Sequence, residues 1–252
     1  MSWVYRREAQ LLAKFEGESA HKAQSVLFVS KAEADLFVQD HPHQSKKVDF
    51  VRNGVDAEFF DARLKFENPY ESEYRYLVFT GLMDYWPNVD AVIWFVREIL
   101  PKVVREVSNV RFYIVGANPS KEVRELSRDE HVVVTGTVPD VRPYVIYARC
   151  AVAPLRVGRG IQNKVLEAMA LGKPIVATHA AMEGIDGGDR IVGDVSDDPE
   201  SIARACTRRL LDPLSGCDTN RDFVLDEFDW DRNLSRLPGL LMAGSKNGAV
   251  SV

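Results

Sequence analysis

The sequence has little cysteine, no long apolar run and no cluster of basic residues. Its three cysteines among 252 residues are too few for a disulfide framework and favour a reducing compartment. No apolar run approaches the roughly 20 residues that span a bilayer, and the first ten residues, MSWVYRREAQ, are too polar for a secretory signal. A net charge of −5 argues against nucleic acid as a partner. We therefore expect a cytoplasmic globular protein.

Several fingerprints of nucleotide and metal sites are also missing. The chain has no Gly-x4-Gly-Lys-Ser/Thr loop, and no Gly-x-Gly-x-x-Gly follows the first strand of its regular part. The five histidines lack metal-ligand spacing, and the pair His41 and His43 is typical of a solvated loop. The sequence therefore predicts neither a kinase-like nor a dehydrogenase-like nucleotide site, and no metal centre.

What the sequence does have is a regular alternation of strand-like and helix-like segments from residue 76 onward. The predicted strands are 76–80, 110–115, 131–135, 149–154, 174–178 and 190–192. The predicted helices between them are 88–106, 120–127, 140–147 and 160–171. Such alternation predicts an α/β fold, with a Rossmann-like parallel sheet, helices on both faces and ligands beyond the carboxyl ends of the strands.

The chain divides at residues 61–74, a polar segment with little periodicity. Its first part has predicted helices at 2–24 and 31–39 and predicted strands at 25–30 and 48–51. The polar segment itself is typical of an interdomain linker. We predict four divisions: a first part at 1–60, a linker at 61–75, a ligand-binding domain at 76–227, and a C-terminal helix with its tail at 228–252.

The stretch 149–178 carries the pattern with most chemical content. Gly158 and Gly160 precede a predicted helix, where backbone N–H groups and the helix N-terminus can face a phosphate. Lys164 and Glu167 fall on the polar face of that helix. The alternatives are a tight turn for the glycines and a surface i, i+3 pair for Lys164 and Glu167. Composition and spacing alone thus predict an α/β domain that binds a phosphate-bearing ligand.

Seven motifs, in order along residues 25–240, resemble glycosyltransferase family 4. They are SVLFVS at 25–30, VRNGVD at 51–56, FTG at 79–81, FYIVG at 112–116, VTGTV at 134–138, KVLEAMALGKP at 164–174 and FDW at 228–230. The versions WPNVD at 86–90 and GRGIQNK at 158–164 are most similar to the sugar transferases associated with exosortase and PEP-CTERM systems. The resemblance implies a GT-B fold, in which two Rossmann-like domains face each other across a cleft.

The resemblance implies a nucleotide-diphosphate sugar, UDP- or GDP-linked, as donor for retaining transfer without a metal or other cofactor. Glu167 matches the second glutamate of the family's Glu-x7-Glu motif, which holds the ribose. The backbone of Gly160, Ile161 and Gln162 would face the sugar and the diphosphate. The remaining residues implied to contact the donor are Gly81, beside the phosphates, and Thr137 and Val138, against the base.

Two departures from the family pattern concern charge. The first glutamate of the Glu-x7-Glu motif falls on Arg159, and the family's Arg and Lys after the first donor-domain strand fall on Leu82 and Pro87. Lys164 and Arg159 are then the candidate cations for the diphosphate. We interpret this as positive charge that has been relocated within the site.

A third departure concerns the acceptor side. Only the last strand and helix of the family's N-terminal domain are matched, so residues 1–60 would be a remnant of that domain. The acceptor, a polysaccharide or a lipid-linked saccharide at the inner face of the membrane, would then need a second copy or a separate chain. We expect a hexosyltransferase-like enzyme of exopolysaccharide biosynthesis, with no catalytic residue assigned. The alternatives are a nucleotide-sugar-binding module without turnover of its own and a scaffold with a vestigial site.

Overall fold

The computed structural model describes residues 2–158, 160–212 and 218–240. These residues group into two compact units, one holding the residues up to Asn53 and from Trp230 onward, and the other holding Gly54–Asp229. Within the described ranges, no helix is both long enough and apolar enough to cross a membrane. The predicted donor-binding residues that the structure describes all lie in the larger unit.

The smaller unit contains a two-stranded parallel sheet with helices. Its elements are α1 (Ser2–Lys22), β1 (Val26–Phe28), α2 (Lys31–Asp40), β2 (Val48–Phe50) and a short helix at Trp230–Leu234. Val26 lies opposite Val48 in the sheet. The Ser30 hydroxyl accepts a hydrogen bond from the Glu33 backbone N–H at 3.2 Å and thereby caps α2. That this unit is the remnant of an acceptor-binding domain stays a prediction.

The larger unit is built on a parallel sheet of six strands. In chain order they are β3 (Arg75–Thr80), β4 (Val110–Val115), β5 (Val132–Gly136), β6 (Cys150–Ala153), β7 (Ile175–Ala177) and β8 (Gly193–Val195). Their order in space is β5-β4-β3-β6-β7-β8. Leu77, Val78 and Phe79 of β3 are at most 1% exposed, because helices cover a central parallel strand on both faces. The predicted α/β class and Rossmann-like parallel sheet are confirmed.

Helices flank this sheet along its whole length. They are α3 (Trp86–Trp94), α4 (Leu100–Glu106), α5 (Lys121–Glu125), α6 (Arg142–Tyr147), α7 (Asn163–Ala170), α8 (Pro199–Leu211) and α9 (Asp218–Glu227). The single helix expected at 88–106 is divided by a π-helical turn at Phe95–Ile99. Pro101 has no N–H to donate to the preceding turn, which interrupts the regular bonding at this point.

The order of the strands reverses between β3 and β6. From β3 the chain moves outward to β4 and β5, and from β6 it moves outward on the other side to β7 and β8. In open α/β sheets, ligands bind in the crevice beyond the carboxyl ends of the strands at such a reversal. The fold therefore places a candidate site where the loops after β3, β4 and β5 meet the start of α7.

The prediction of the last strand at 190–192 is wrong. Gly188–Arg190 forms a 3-10 turn, and the strand begins at Gly193. The side-chain amide of Asn220 binds the Val192 backbone, accepting from its N–H at 2.6 Å and donating to its carbonyl at 3.0 Å. Apolar composition at 191–192 indicated a strand, whereas the backbone N–H of Val192 is taken by this distant amide.

The expected linker at 61–75 is also wrong, because this segment packs into the larger unit. The Tyr70 ring is buried and stacks on Tyr76 at 3.9 Å, and its hydroxyl donates to the Tyr144 carbonyl at 2.7 Å. Asp61 lies 3.3 Å from the Arg221 guanidinium. The polar composition of the segment concealed these few anchoring contacts.

The expected domain boundaries at residues 60 and 228 are also wrong, because contacts between distant residues join both segments to the larger unit. The Val55 backbone N–H donates to the Phe228 carbonyl at 2.8 Å, and Val55 pairs with Asp229 as an isolated β-bridge. Residues 54–60 and 228–229 therefore belong to the larger unit, whereas we had assigned them to the first part and to the C-terminal tail.

Candidate donor-binding site

The candidate site is a cleft of about 700 Å³ at the carboxyl ends of β3, β4 and β5, closed on one side by the start of α7. A cleft of this volume suits a ligand of nucleotide size. It brings together most of the residues singled out in the sequence: Gly81, Thr137, Val138, Ile161, Gln162, Lys164 and Glu167. Gly160 lies just outside the lining, and its carbonyl accepts from the Gln162 side chain at 3.3 Å. Arg159 lies outside the described residues.

Two glycines allow the loops after β3 and β4 to pack backbone against backbone. Gly81 and Gly116 have φ values of 157° and 154°, which favour glycine. A Cβ on Gly116 would lie 1.7 Å from the Gly81 carbonyl oxygen. The Gly116 N–H in turn donates to the Gly136 carbonyl at 3.2 Å. These contacts stack the three loops into one floor, and Gly81 lines the cleft without a side chain to fill it.

Lys164 brings a cation to this floor. It is the second residue of α7, and its Nζ atom lies 4.4 Å from the centroid of the Phe79 ring and donates a hydrogen bond to Oδ1 of Asn88. Burial lowers the pKa of Lys164 to about 8, and the nearby Glu167 carboxylate acts in the opposite direction. The ammonium thus carries its charge near neutral pH in a mostly dry place, where an anionic ligand would interact with it strongly.

Glu167 places a carboxylate on the same face of α7, one turn further along. Burial raises its pKa, and the charge of Lys164 partly offsets that effect. No hydrogen bond or ion pair joins its carboxylate to a described residue, so the surface pair with Lys164, our alternative explanation for both residues, is not formed. A half-buried carboxylate to which no described residue hydrogen-bonds is suited to accept hydrogen bonds from a ligand.

The loops, the cation and the carboxylate occupy the part of the chain that also matches a known family. Residues 74–212 match the family described as glycosyl transferases group 1. The chain belongs to this family. No curated protein matches it in sequence.

Solved glycosyltransferases share the fold at low sequence identity. A glycosyltransferase from Rickettsia africae is 15% identical with a TM-score of 0.73, over 94% of this chain and 67% of that one. The Anabaena protein HepE in complex with UDP is 14% identical with a TM-score of 0.68, over 88% and 64%. Sucrose-phosphate synthase from Thermosynechococcus elongatus is 18% identical with a TM-score of 0.69, over 95% and 63%.

These likenesses confirm the expected GT-B type of glycosyltransferase fold. They do not test the narrower similarity to the exosortase-associated transferases or the expected loss of an acceptor-binding domain. Both stay predictions. The chain spans 63 to 67% of the length of these three relatives.

Asn88 is the site residue to which sequence reasoning gave no role. It appeared only as part of the motif WPNVD, yet it is 5% exposed and contacts Lys164 directly. A signal was present, because an amide at 88 falls on the same helical stripe as Ala91, Val92 and Phe95, all buried. A polar side chain on a buried helix stripe needs hydrogen-bond partners, so an amide at this position indicates a specific hydrogen bond within the protein.

A second cavity, of about 390 Å³, lies near the amino ends of β3, β6 and β7. Three of its four tyrosine hydroxyls donate to backbone carbonyls: Tyr70 to Tyr144, Tyr76 to Glu71, and Tyr147 to Phe66. The cavity lies at the edge of the sheet opposite the usual ligand edge. The cleft with Lys164 is the better candidate for a ligand site for this reason.

Metal-ligand geometry is likewise missing in the part of the chain that the structure describes, where no three His, Cys, Asp or Glu side chains converge. The expectation that transfer proceeds without a metal stays a prediction.

Proposed function

We propose that the chain binds a nucleotide-diphosphate sugar, UDP- or GDP-linked, in the cleft at the carboxyl edge of the large sheet, for glycosyl transfer. The observation that carries this proposal is the half-buried Lys164 ammonium held beside the glycine loops, close to the Glu167 carboxylate, to which no described residue hydrogen-bonds. One diphosphate needs a cation and open backbone, and one ribose needs an acceptor for two hydroxyls. Membership of the family and likeness to transferases solved with UDP and with UDP-glucose support the same assignment.

We assign each part of the donor to a group of residues that line the cleft. The diphosphate lies against Gly81 and the Lys164 ammonium, at the N-terminus of α7, where Gln162 makes no side-chain cap. The ribose hydroxyls donate to Glu167. The base lies against Thr137 and Val138, on the loop after β5.

The same arrangement suits the chemistry of transfer. The acceptor hydroxyl attacks the anomeric carbon from the side of the leaving group, the bond to the diphosphate oxygen breaks with its electron pair going to that oxygen, and the departing oxygen takes up the proton of the acceptor hydroxyl. Negative charge grows on the departing oxygen, where the Lys164 ammonium and the helix N-terminus stabilise it. We propose transfer with retention of configuration, as the resemblance implies, to a polysaccharide or lipid-linked saccharide at the inner face of the membrane. An exopolysaccharide pathway fits the narrower sequence resemblance.

The alternative is a nucleotide-sugar-binding module that transfers sugar only together with a second copy or a separate chain. It is favoured by the coverage of the solved transferases, which falls to 45% for the Staphylococcus aureus protein TarM. In that case the acceptor would be bound by residues outside those described.

Turnover separates the two proposals. The chain would be incubated with UDP- and GDP-hexoses, with and without saccharide acceptors, and release of the free diphosphate measured. We expect release that depends on the acceptor, with about tenfold or greater loss in Lys164→Ala because a buried charge contact in the transition state is removed. Binding of the donor without any release would favour the module, and absence of both would contradict the assignment of the cleft.

A further inference from the structure

Asn88 occupies a place in the fold where a side-chain amide is costly unless it is fully bonded. It lies in the first turn of α3 and is 5% exposed. Burying an amide without hydrogen bonds is unfavourable, so its partners must be specific. Nδ2 donates to the Leu82 carbonyl at 2.9 Å, and Oδ1 accepts from the Lys164 ammonium. The amide therefore connects the loop after β3 with α7.

The two partners determine which way the amide faces. A carbonyl oxygen only accepts and an ammonium only donates, so the NH₂ group must face Leu82 and the oxygen must face Lys164. Aspartate at this position would offer no donor to Leu82, and leucine would offer neither group. Asparagine fits because it supplies one acceptor and one donor on a short side chain.

The Asn88 amide is uncharged, and this matters as much as its position. Among the described residues that line the cleft, Lys164 and Glu167 are the only charged ones. The Phe79 ring, which also lies against the ammonium, is neutral as well, so Glu167 is the one carboxylate near the ammonium among the described residues that line the cleft. A carboxylate in place of the amide would pair with the ammonium and cancel its charge, since attraction between ions is strong where water is largely excluded. The amide holds the cation without cancelling its charge.

The pair also lies against the loop assigned to the diphosphate. A Cβ on Gly81 would be 2.7 Å from Asn88 Nδ2 and 3.3 Å from Lys164 Nζ. The ammonium thus lies next to Gly81, at the floor of the cleft.

We propose that Asn88 is a positioning residue that holds the Lys164 ammonium beside Gly81 and leaves its positive charge available to the donor diphosphate. This inference rests on the proposed function, since it assumes that the diphosphate lies there. It assigns Asn88 no contact with the reacting atoms and no proton transfer.

The test compares Asn88→Asp and Asn88→Leu, two substitutions of similar size, by titrating the full chain with UDP and with uridine. We expect Asn88→Asp to weaken UDP binding by about tenfold or more, the loss expected when a buried charge contact is cancelled. Binding of uridine, which has no phosphate, stays unchanged and shows that the site is folded. In a Lys164→Ala background, Asn88→Leu causes no comparable further loss for UDP, because the cation that the amide positions is already absent.

A pH series adds a readout that a merely structural residue would not move. The groups facing the Lys164 ammonium are the Glu167 carboxylate on α7, the Phe79 ring on β3 and the Asn88 amide on α3. The wild-type preference for UDP over uridine should decline as pH rises through the Lys164 pKa of about 8. Asn88→Asp moves this decline to higher pH, because a carboxylate stabilises the ammonium. Asn88→Leu moves it to lower pH, because a polar partner is lost.

Two outcomes overturn the inference alone: wild-type UDP affinity in Asn88→Asp, or equal losses for UDP and uridine, which would mark a structural role. A wild-type chain that binds neither UDP nor GDP would overturn the proposed function, and this inference with it.

Discussion

Lys164 and Glu167 are two ionisable side chains of one helix that are mostly buried without an ion pair between them. Burial lowers the pKa of the lysine to about 8 and raises the pKa of the glutamate. Such groups weaken the folded state, and proteins keep them mainly where a ligand completes their bonding. The account assigns the lysine to the diphosphate and the glutamate to the ribose, so substitutions at the two positions should affect different parts of the ligand.

Glu167→Gln is expected to act through the ribose alone. Loss of a charged acceptor for two hydroxyls should weaken UDP binding by about tenfold, the size of one charge-assisted hydrogen bond. The affinity for 2′,3′-dideoxy-UDP should stay at its wild-type value, because that nucleotide has no hydroxyls to donate. Calorimetric titration of both nucleotides checks this. Equal losses for the two would contradict the ribose contact.

The proposed contact between the Glu167 carboxylate and the ribose hydroxyls should weaken as pH falls. A raised pKa means that the Glu167 carboxylate takes up a proton at a higher pH than an ordinary glutamate. The wild-type preference for UDP over its dideoxy analogue should therefore decline as pH falls, and at a higher pH than an ordinary glutamate would give, which titration of both nucleotides over a pH series checks.

Lys164 and Glu167 could be predicted from the sequence because they lie three positions apart on one helix face. The role of Asn88 could not be predicted in this way. Its partner Lys164 is 76 positions away and is brought to it only by the pairing of β3 with β6. The sequence marked Asn88 as unusual for a buried helix stripe without indicating what it contacts.

At the scale of elements, the site depends on glycine loops stacked at the ends of parallel strands. The Gly81 N–H donates to the Val115 carbonyl at 3.1 Å, and the Gly116 N–H donates to Gly136 at 3.2 Å. The loops thus continue the bonding of the sheet beyond its strands. The close approach of the loops requires that residue 116 have no side chain. Position 136 has space for a side chain, and glycine is favoured there only by the backbone conformation.

Gly116→Ala and Gly136→Ala form a matched pair that separates these requirements. A Cβ at 116 would overlap the Gly81 carbonyl oxygen at 1.7 Å, so the loop must move, and we expect a loss of about 3 kcal/mol or more in the free energy of unfolding. At 136 the φ of 68° is left-handed but the space is open, so the loss should be about 1 kcal/mol. Urea unfolding of both variants measures the difference. Equal losses would contradict the role of backbone contact at Gly116.

Most elements of the larger unit could be predicted from alternating apolar runs, because parallel strands are buried on both faces. The errors fell where single side chains override composition. Asn220 takes the backbone of Val192 and delays the last strand, and Tyr70 and Asp61 anchor a polar segment that resembles a linker. Contacts of this kind join distant positions and leave no periodic pattern.

At the scale of the whole molecule, the chain has a net charge of −5 and is proposed to bind a ligand that is itself negative. Bulk charge therefore opposes binding, and the attraction must come from local cations and backbone N–H groups. In the proposed function, that attraction comes from Lys164 and the backbone at the start of α7, which line the cleft. The residues that line this cleft all belong to the larger unit.

The central claim is that this cleft binds a nucleotide diphosphate through Lys164. The most direct measurement is calorimetric titration of the wild-type chain and Lys164→Ala with UDP and with GDP, in buffer containing a metal chelator. The account predicts that the wild type binds at least one of the two and that Lys164→Ala binds it about tenfold or more weakly, as expected on removing a buried charge contact. Unchanged nucleotide affinity in Lys164→Ala would contradict it.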